Sequence, residues 1–364
     1  KTLVVNLPGV ETGSVVTVVT RFTQTNACFY SHRQAFGGME PSSGETYRLS
    51  FPVGLRPSVE TFHFDAVSFR AETNAAVATW TWSAPKPPVV RAEEKLPPSH
   101  LFQPTLFVSC GDWRSYARGL RAACEKAGDD DRQARRHARE VVAGIRDPRA
   151  RLRAVRDEVL RTIRPAGPSF LDLPPDALSS PDRTLADQYG HAADRALLLA
   201  SMLDAVGFDA ELLFASADTS AYPPCSQPLR DTPQAGFFQN PLVKVTCRGV
   251  AYYLNGGDQY DEPGTCAADR APALGLDGKV QTVAVAEPYR SAGRDAWTID
   301  LAADGAATIT ATNWFFGPGA GAFRKQYVEM LPEDRRRHHL ELVGAVSKAA
   351  RPASPLVTDT EAYP

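Results

Sequence analysis

Over the first ninety or so residues, apolar positions come in short β-branched and aromatic runs, never at helical spacing. Leu3-Val4-Val5, Val15-Val16-Thr17-Val18-Val19, 46–51 and Ala78-Thr79-Trp80-Thr81-Trp82 predict strands, with turn material between them at Pro8-Gly9 and Gly37-Gly38. Residues 1–90 are therefore expected to form a β-sandwich-like unit, its opening portion missing from this chain. Residues 91–110 are expected to be a linker, because Pro85, Pro87, Pro88, Pro97 and Pro98 fix φ and remove backbone donors around it.

The pattern then changes period. A helix is predicted from near Asp112 to Lys126, and a second from a cap at Asp129-Asp130-Asp131 to about Ile145. A third follows Asp147-Pro148, with Leu152, Val155, Val159, Leu160 and Ile163 on one face. A Pro-, Ser- and Asp-rich loop over 165–183 leads to a strongly apolar helix, 192–206, stopped at Gly207. Strand-like segments follow at 210–214, 242–246, 250–254 and 280–284. Helices followed by an antiparallel sheet packed on one long helix make an α+β unit over 111–290. Residues 291–364 carry two more strands, 297–301 and 307–312, and a helix over 333–349, with no closing element after Pro352. The whole is an α+β multidomain chain whose last region reads as incomplete.

Bulk composition narrows the function classes. The chain has 364 residues, 43% hydrophobic and 23% charged, enough to build a core without metal or disulfide support. Forty basic against forty-two acidic side chains argue against a general nucleic-acid binder, which needs a basic surface. No transmembrane segment is expected: the longest apolar stretch, 192–208, is interrupted by Asp194, Arg195 and Asp204. Six cysteines, Cys28, Cys110, Cys124, Cys225, Cys247 and Cys266, form no CxxC pair, so neither a metal site nor a redox motif is expected. Their number fits disulfides and buried free thiols alike. No cofactor is implied.

The segment Tyr189-Gly190-His191-Ala192-Ala193-Asp194-Arg195-Ala196-Leu197-Leu198-Leu199 resembles the Tyr-Gly-Asp-Cys-Lys-Asp-Lys-Ala-x-Leu-Leu run that holds the nucleophile of bacterial transglutaminase-like proteins. Leu203-Asp204-Ala205-Val206-Gly207-Phe208-Asp209-Ala210 is similar to the continuation of that run, and Phe238-Gln239-Asn240-Pro241-Leu242-Val243-Lys244-Val245 to the family's Phe-Asn-His-Val-Ile-Val-x-Val. Tyr253-Leu254-Asn255-Gly256-Gly257-Asp258-Gln259-Tyr260 is similar to Trp-Leu-Asp-Pro-Thr-x-x-Tyr. Leu7-Pro8-Gly9-Val10-Glu11-Thr12-Gly13-Ser14 looks like the entry to the β domain that often precedes this fold.

The resemblance implies a papain-type domain in which a thiol at a helix start, a strand His and a carboxylate on the next strand act together. Here those positions hold Ala192, Asn240 and Asn255. Ala192 offers no nucleophile, Asn240 no base and Asn255 no negative charge. No catalytic residue is expected, and the chain is expected to bind or scaffold rather than catalyse. A retained cleft lined by His191, Asp194, Asn240, Asn255 and Asp258 would take a peptide, a protein segment or an envelope polymer. The resemblance also implies a periplasmic or secreted location in bacteria.

Two other readings stay open: a relocated hydrolase or transglutaminase activity, and a purely structural module. For the first, His191 stands beside the vacant position, but the sequence shows no carboxylate partner for it and a helix start disfavours the imidazolium. Cys225, Cys247 and Cys266 lie in the same region, and none sits at a helix start beside a histidine. Gly317-Pro318-Gly319-Ala320-Gly321 lacks the Lys and Ser/Thr of a phosphate loop and predicts a turn between strand and helix. Arg335-Arg336-Arg337-His338-His339 reads as a solvated helix face, and the aspartate run at 129–131 as a cap, without calcium-loop spacing.

Overall fold

The structure, a computed structural model, describes residues 6, 8–21, 29–170, 173, 177–216, 223–254 and 257–364. The predicted strand at Leu3-Val4-Val5 lies outside the described residues. The one at 15–19 is exposed and forms no ladder with other described residues; β-branched residues favour an extended backbone, but a strand also needs a neighbour.

Among the described residues six strands build the first unit: β1 (Ser31–Ala35), β2 (Glu45–Pro52), β3 (Ser58–Phe62), β4 (Ser68–Thr73), β5 (Val77–Ala84) and β6 (Thr105–Ser109). They form two three-stranded antiparallel sheets, β1-β6-β3 and β2-β5-β4. Leu49, Phe51 and Trp82 from one sheet and Phe36, Leu106 and Val108 from beside and within the other meet in a single apolar core. The expected linker over 91–110 is corrected here. Its last residues are β6, the central strand of its sheet, buried along its whole length. Prolines keep the approach extended, but Thr105-Leu106-Phe107-Val108-Ser109 is a continuous buried-strand run.

Helices α1 (Trp113–Gly128), α2 (Arg132–Val141) and α3 (Pro148–Thr162) follow. Asp112 caps α1 by accepting from Ser115 N at 2.9 Å, and Asp147 caps α3 from Ala150 N at 2.9 Å. The start of α2 departs from the sequence reading. Its first amides, of Gln133 and Ala134, donate to the Asp182 carboxylate at 3.0 and 2.8 Å. Asp130 and Asp131 instead accept from Ser180 Oγ and Ser201 Oγ, at 2.9 and 2.8 Å. A distant carboxylate caps the helix because α4 (Pro181–Asp187), hidden in what the sequence presents as a loop, packs beside it.

α5 (Ala192–Ala205) is the axis of this unit. Leu198, Leu199, Met202 and Leu203 pack with α2, α3 and the sheet, while Ala193 and Leu197 pack with Leu120 of α1, Phe170 and Phe214. A helix apolar on both sides belongs inside a core. The sheet it rests on is antiparallel, in order β11-β10-β9-β12-β13, from β9 (Glu211–Ser216), β10 (Phe238–Cys247), β11 (Val250–Leu254), β12 (Pro272–Gly275) and β13 (Val280–Thr282). Between β9 and β10, α6 (Pro223–Asp231) and the segment after it join the first unit: Gln234 Nε2 donates to Val108 O at 3.2 Å, and Ala235 N to Ser31 Oγ at 2.9 Å.

The last region is a long hairpin, β14 (Ala292–Leu301) with β15 (Ala307–Phe316), then α7 (Pro318–Glu329) and α8 (Pro332–Val346). Tyr363 returns to the seam, donating to Pro288 O at 2.7 Å and accepting from Gly317 N at 2.9 Å. No helix among the described residues is long and apolar enough to cross a membrane.

Because α5 is packed on both sides, truncating it leaves a cavity that cannot collapse. Leu198→Ala is expected to cost about 2–5 kcal/mol, read as a lower urea midpoint at unchanged slope.

Candidate functional site

The site suggested by the sequence is the first turn of α5. The chain reaches it through a short parallel ladder in which 189–190 pairs with 164–165. Gly190 must be glycine there, since a Cβ would lie 2.9 Å from Asp194 Cβ and 3.2 Å from Thr184 Cγ2. His191 is the N-cap. Its Nδ1 accepts from Ala193 N at 3.0 Å and from Asp194 N at 3.4 Å, and Asp194 Oδ2 accepts from His191 N at 3.2 Å. The two side chains thus form a reciprocal capping box. Asp194 Oδ1 also accepts from Ser179 N at 2.8 Å, tying the preceding loop to the turn.

This arrangement sets the chemistry of His191. A ring nitrogen that accepts from two backbone amides carries no proton, so the neutral ring is protonated at Nε2. Nε2 is buried and lies 3.3 Å from Asp194 Oδ1, but out of line for a hydrogen bond. Burial lowers the pKa of His191, with the Asp194 carboxylate opposing that shift. The carboxylate partner that the sequence reading did not find is therefore Asp194, three residues on. His191 is buried, with its accepting nitrogen committed to the helix.

The other expected residues fall as follows. Ala192 is the first residue of α5 and is exposed. Asn240 is exposed on β10, opposite Ala215 and next to a register shift that follows Phe238. Asn255 lies outside the described residues; β11 ends at Leu254, paired with Val243. Asp258 is half-buried and works as a structural tie. Its carbonyl accepts from Arg156 Nη2 at 2.7 Å, and its carboxylate sits 3.2 Å from Lys325 Nζ of α7.

Two residues were not picked out from the sequence: Arg156 and Arg195. Both are buried, Arg156 in α3 and Arg195 in α5. The signal was present as arginines on otherwise apolar helix faces, where a charge needs a reason. Elsewhere, α2, α3 and α4 enclose an open groove of about 470 Å³ in which His137 Nε2 meets Glu158 Oε1 at 2.8 Å. The nearby Thr162 hydroxyl is spent on Glu158 O, at 2.7 Å. Among the described residues no cluster of ligating side chains could hold a metal ion. The five described cysteines are free thiols. Burial pushes Cys124 and Cys266 up to about 11.

No protein-family model matches the chain, and no curated protein matches it. Among solved structures, it is similar to a putative protease from Parabacteroides distasonis, with a TM-score of 0.54 and 16% identity. The match covers 72% of this chain and 49% of that one, so this chain spans about half the length of that protein. A putative cysteine protease from Cytophaga hutchinsonii aligns with a TM-score of 0.28 and 12% identity, over 78% of this chain and 89% of that one. The first likeness shows a shared mixed α+β fold; the second is too loose to carry an argument.

The capping box gives a pH signature. A His whose folded pKa is lowered binds fewer protons folded than unfolded, so stability rises with pH between the folded pKa and the ordinary value of 6.5. Above that value the contribution is fully present, and it falls away on acidification. His191→Asn keeps a good N-cap without a titrating ring. Urea unfolding from pH 5 to 7.5 should show a shallower stability slope for this variant than for the unaltered protein.

Proposed function

We propose that this chain is a non-catalytic transglutaminase-like protein of papain type, and that the cleft at the start of α5 binds a peptide, a protein segment or an envelope polymer. On this reading it serves as a binding or scaffolding protein of the bacterial cell envelope. The observation that carries the proposal is the first turn of α5. Where the resemblance calls for a nucleophile stands Ala192, exposed at the first helical position. The adjacent His191 has its accepting nitrogen occupied by the helix amides. A general base needs that lone pair free for the proton it removes.

The described thiols support the same reading. An activated cysteine has a lowered pKa, from a helix start or a neighbouring cation. Burial instead raises Cys110, Cys124 and Cys266. Loss of triad members costs roughly 10⁴- to 10⁶-fold in rate in enzymes of this kind. Asn240 is exposed on a strand packed with α5, a placement suited to hydrogen-bonding a ligand backbone.

The unaltered protein is expected to show no amidase, transglutaminase or thiol-protease turnover of peptide substrates. The triple variant Ala192→Cys, Asn240→His, Asn255→Asp should react with iodoacetamide faster near neutral pH than the single variant Ala192→Cys, because the new His and the helix start both favour thiolate. Thiol-dependent turnover by the unaltered protein that disappears in Cys225→Ser, Cys247→Ser or Cys266→Ser would overturn the non-catalytic reading.

A further inference from the structure

Arg195 is 8% exposed, its buried Nε has no hydrogen-bond partner, and no carboxylate of the described residues lies within ion-pair distance of it. Its surroundings sharpen the point. Burial first, and then the positive charge of Arg156, act against its protonated form. Arg156 itself is satisfied: Nη1 donates to Asp157 Oδ1 and to Asp261 O, both at 2.8 Å, and Nη2 donates to Asp258 O at 2.7 Å. The cations around the same loop also have countercharges. Lys325 lies 3.2 Å from Asp258, Arg324 lies 3.7 Å from Glu262, and Arg153 pairs with Glu262. Among the described residues no carboxylate pairs with Arg195.

A guanidinium does not shed its charge at neutral pH, so burial cannot be relieved by deprotonation. Water could satisfy an N–H but would not supply a countercharge, and a buried ion without one is destabilising. The position of Arg195 indicates where compensation can come from. It stands three residues after Ala192, on the same face of α5, and helical side chains lean back toward the N-terminus. Ala192, one turn earlier, is exposed and Arg195 itself keeps 8% exposure, so the residue stands one turn behind an exposed position at a helix start that favours negative charge.

We propose that Arg195 is the anchor of the cleft and holds a ligand carboxylate against the first turn of α5. A single negative charge matches one guanidinium, whereas a dianion would exceed it, since Arg156 already faces Asp157. A carboxylate also fits the planar guanidinium fork with two parallel bonds. In a cleft that takes peptide-like chains, the carboxylate is that of a chain end. This assignment rests on the binding reading of the cleft but is tested separately from it, by equilibrium binding rather than turnover.

The test is thermal unfolding of the purified chain titrated with Ala-Ala-Ala, its C-terminal amide, acetate and inorganic phosphate. The free-acid tripeptide should raise Tm in a concentration-dependent way, and the amide should bind at least about tenfold more weakly. Arg195→Met should raise the Tm of the ligand-free protein, as replacing a buried unpaired charge with an apolar side chain does, and should abolish the response to the acid. Arg195→Lys should keep a weakened response, which guards against a folding defect in the first variant. Acetate acting as strongly as the tripeptide would assign the site to a small free carboxylate. Equal responses to acid and amide, no response to any carboxylate, tighter binding of phosphate, or an undiminished response in Arg195→Met would each overturn the assignment. Peptide turnover with Arg195-dependent binding intact would remove only the non-catalytic reading.

Discussion

The first turn of a helix carries amide donors with no intrahelical acceptor, and in α5 that turn is largely buried. Water cannot serve these donors, so side chains must. His191 accepts from two of them, and Asp194 closes the loop by accepting from His191 N and Ser179 N. Gly190 is held to a hydrogen by the same carboxylate packing behind it. Three residues within one turn, Gly190, His191 and Asp194, therefore answer one need, and the central helix, with the sheet and helices around it, stands on that answer. The functional consequence follows from the same bonds, because an imidazole that caps a helix through Nδ1 has no free lone pair for a reacting proton.

A second organising element is charged. Arg156 crosses from α3 to the loop after β11, and Lys325 and Arg324 of α7 meet Asp258 and Glu262 of that loop from the other side. Gly321 of α7 is required by the approach of Asp261, whose own pKa burial raises. This network seats the C-terminal helices on the central unit, and Tyr363 adds a second attachment beside β15. Arg195 feels the charge of Arg156, yet among the described residues it meets no carboxylate of this network.

The two β-rich regions differ in how they manage their apolar faces. In the first unit, two sheets cover one another around Trp82, Leu49 and Leu106, and β6 is buried from end to end. In the hairpin of β14 and β15, Trp297, Ile299 and Leu301 stand opposite Ala311, Ile309 and Ala307 on one face, yet the three large side chains of β14 are exposed. The alternation is as regular as in a buried sheet. What differs is whether another element lies against it.

Local signals were largely legible in the sequence. The β-branched runs at 46–51 and 78–82 are β2 and β5, the Asp112 and Asp147 caps start α1 and α3, and the apolar run after His191 is α5, ending before Gly207 at φ +90°. These are decided by neighbours a few residues apart, through periodicity, capping and the freedom of glycine at positive φ. That Ala192 carries no nucleophilic group is equally a property of the residue itself. What sequence alone left undetermined depends on residues far apart in the chain. Asp182 caps a helix that begins fifty residues earlier, a segment of the proline-rich stretch becomes a central strand, and 15–19 has the composition of a strand without a partner. Above all, nothing in the spacing of Arg156 and Arg195 says that one meets a carboxylate and the other meets none among the described residues. The energy of a buried charge is set by which groups surround it, and only the tertiary fold brings those groups together.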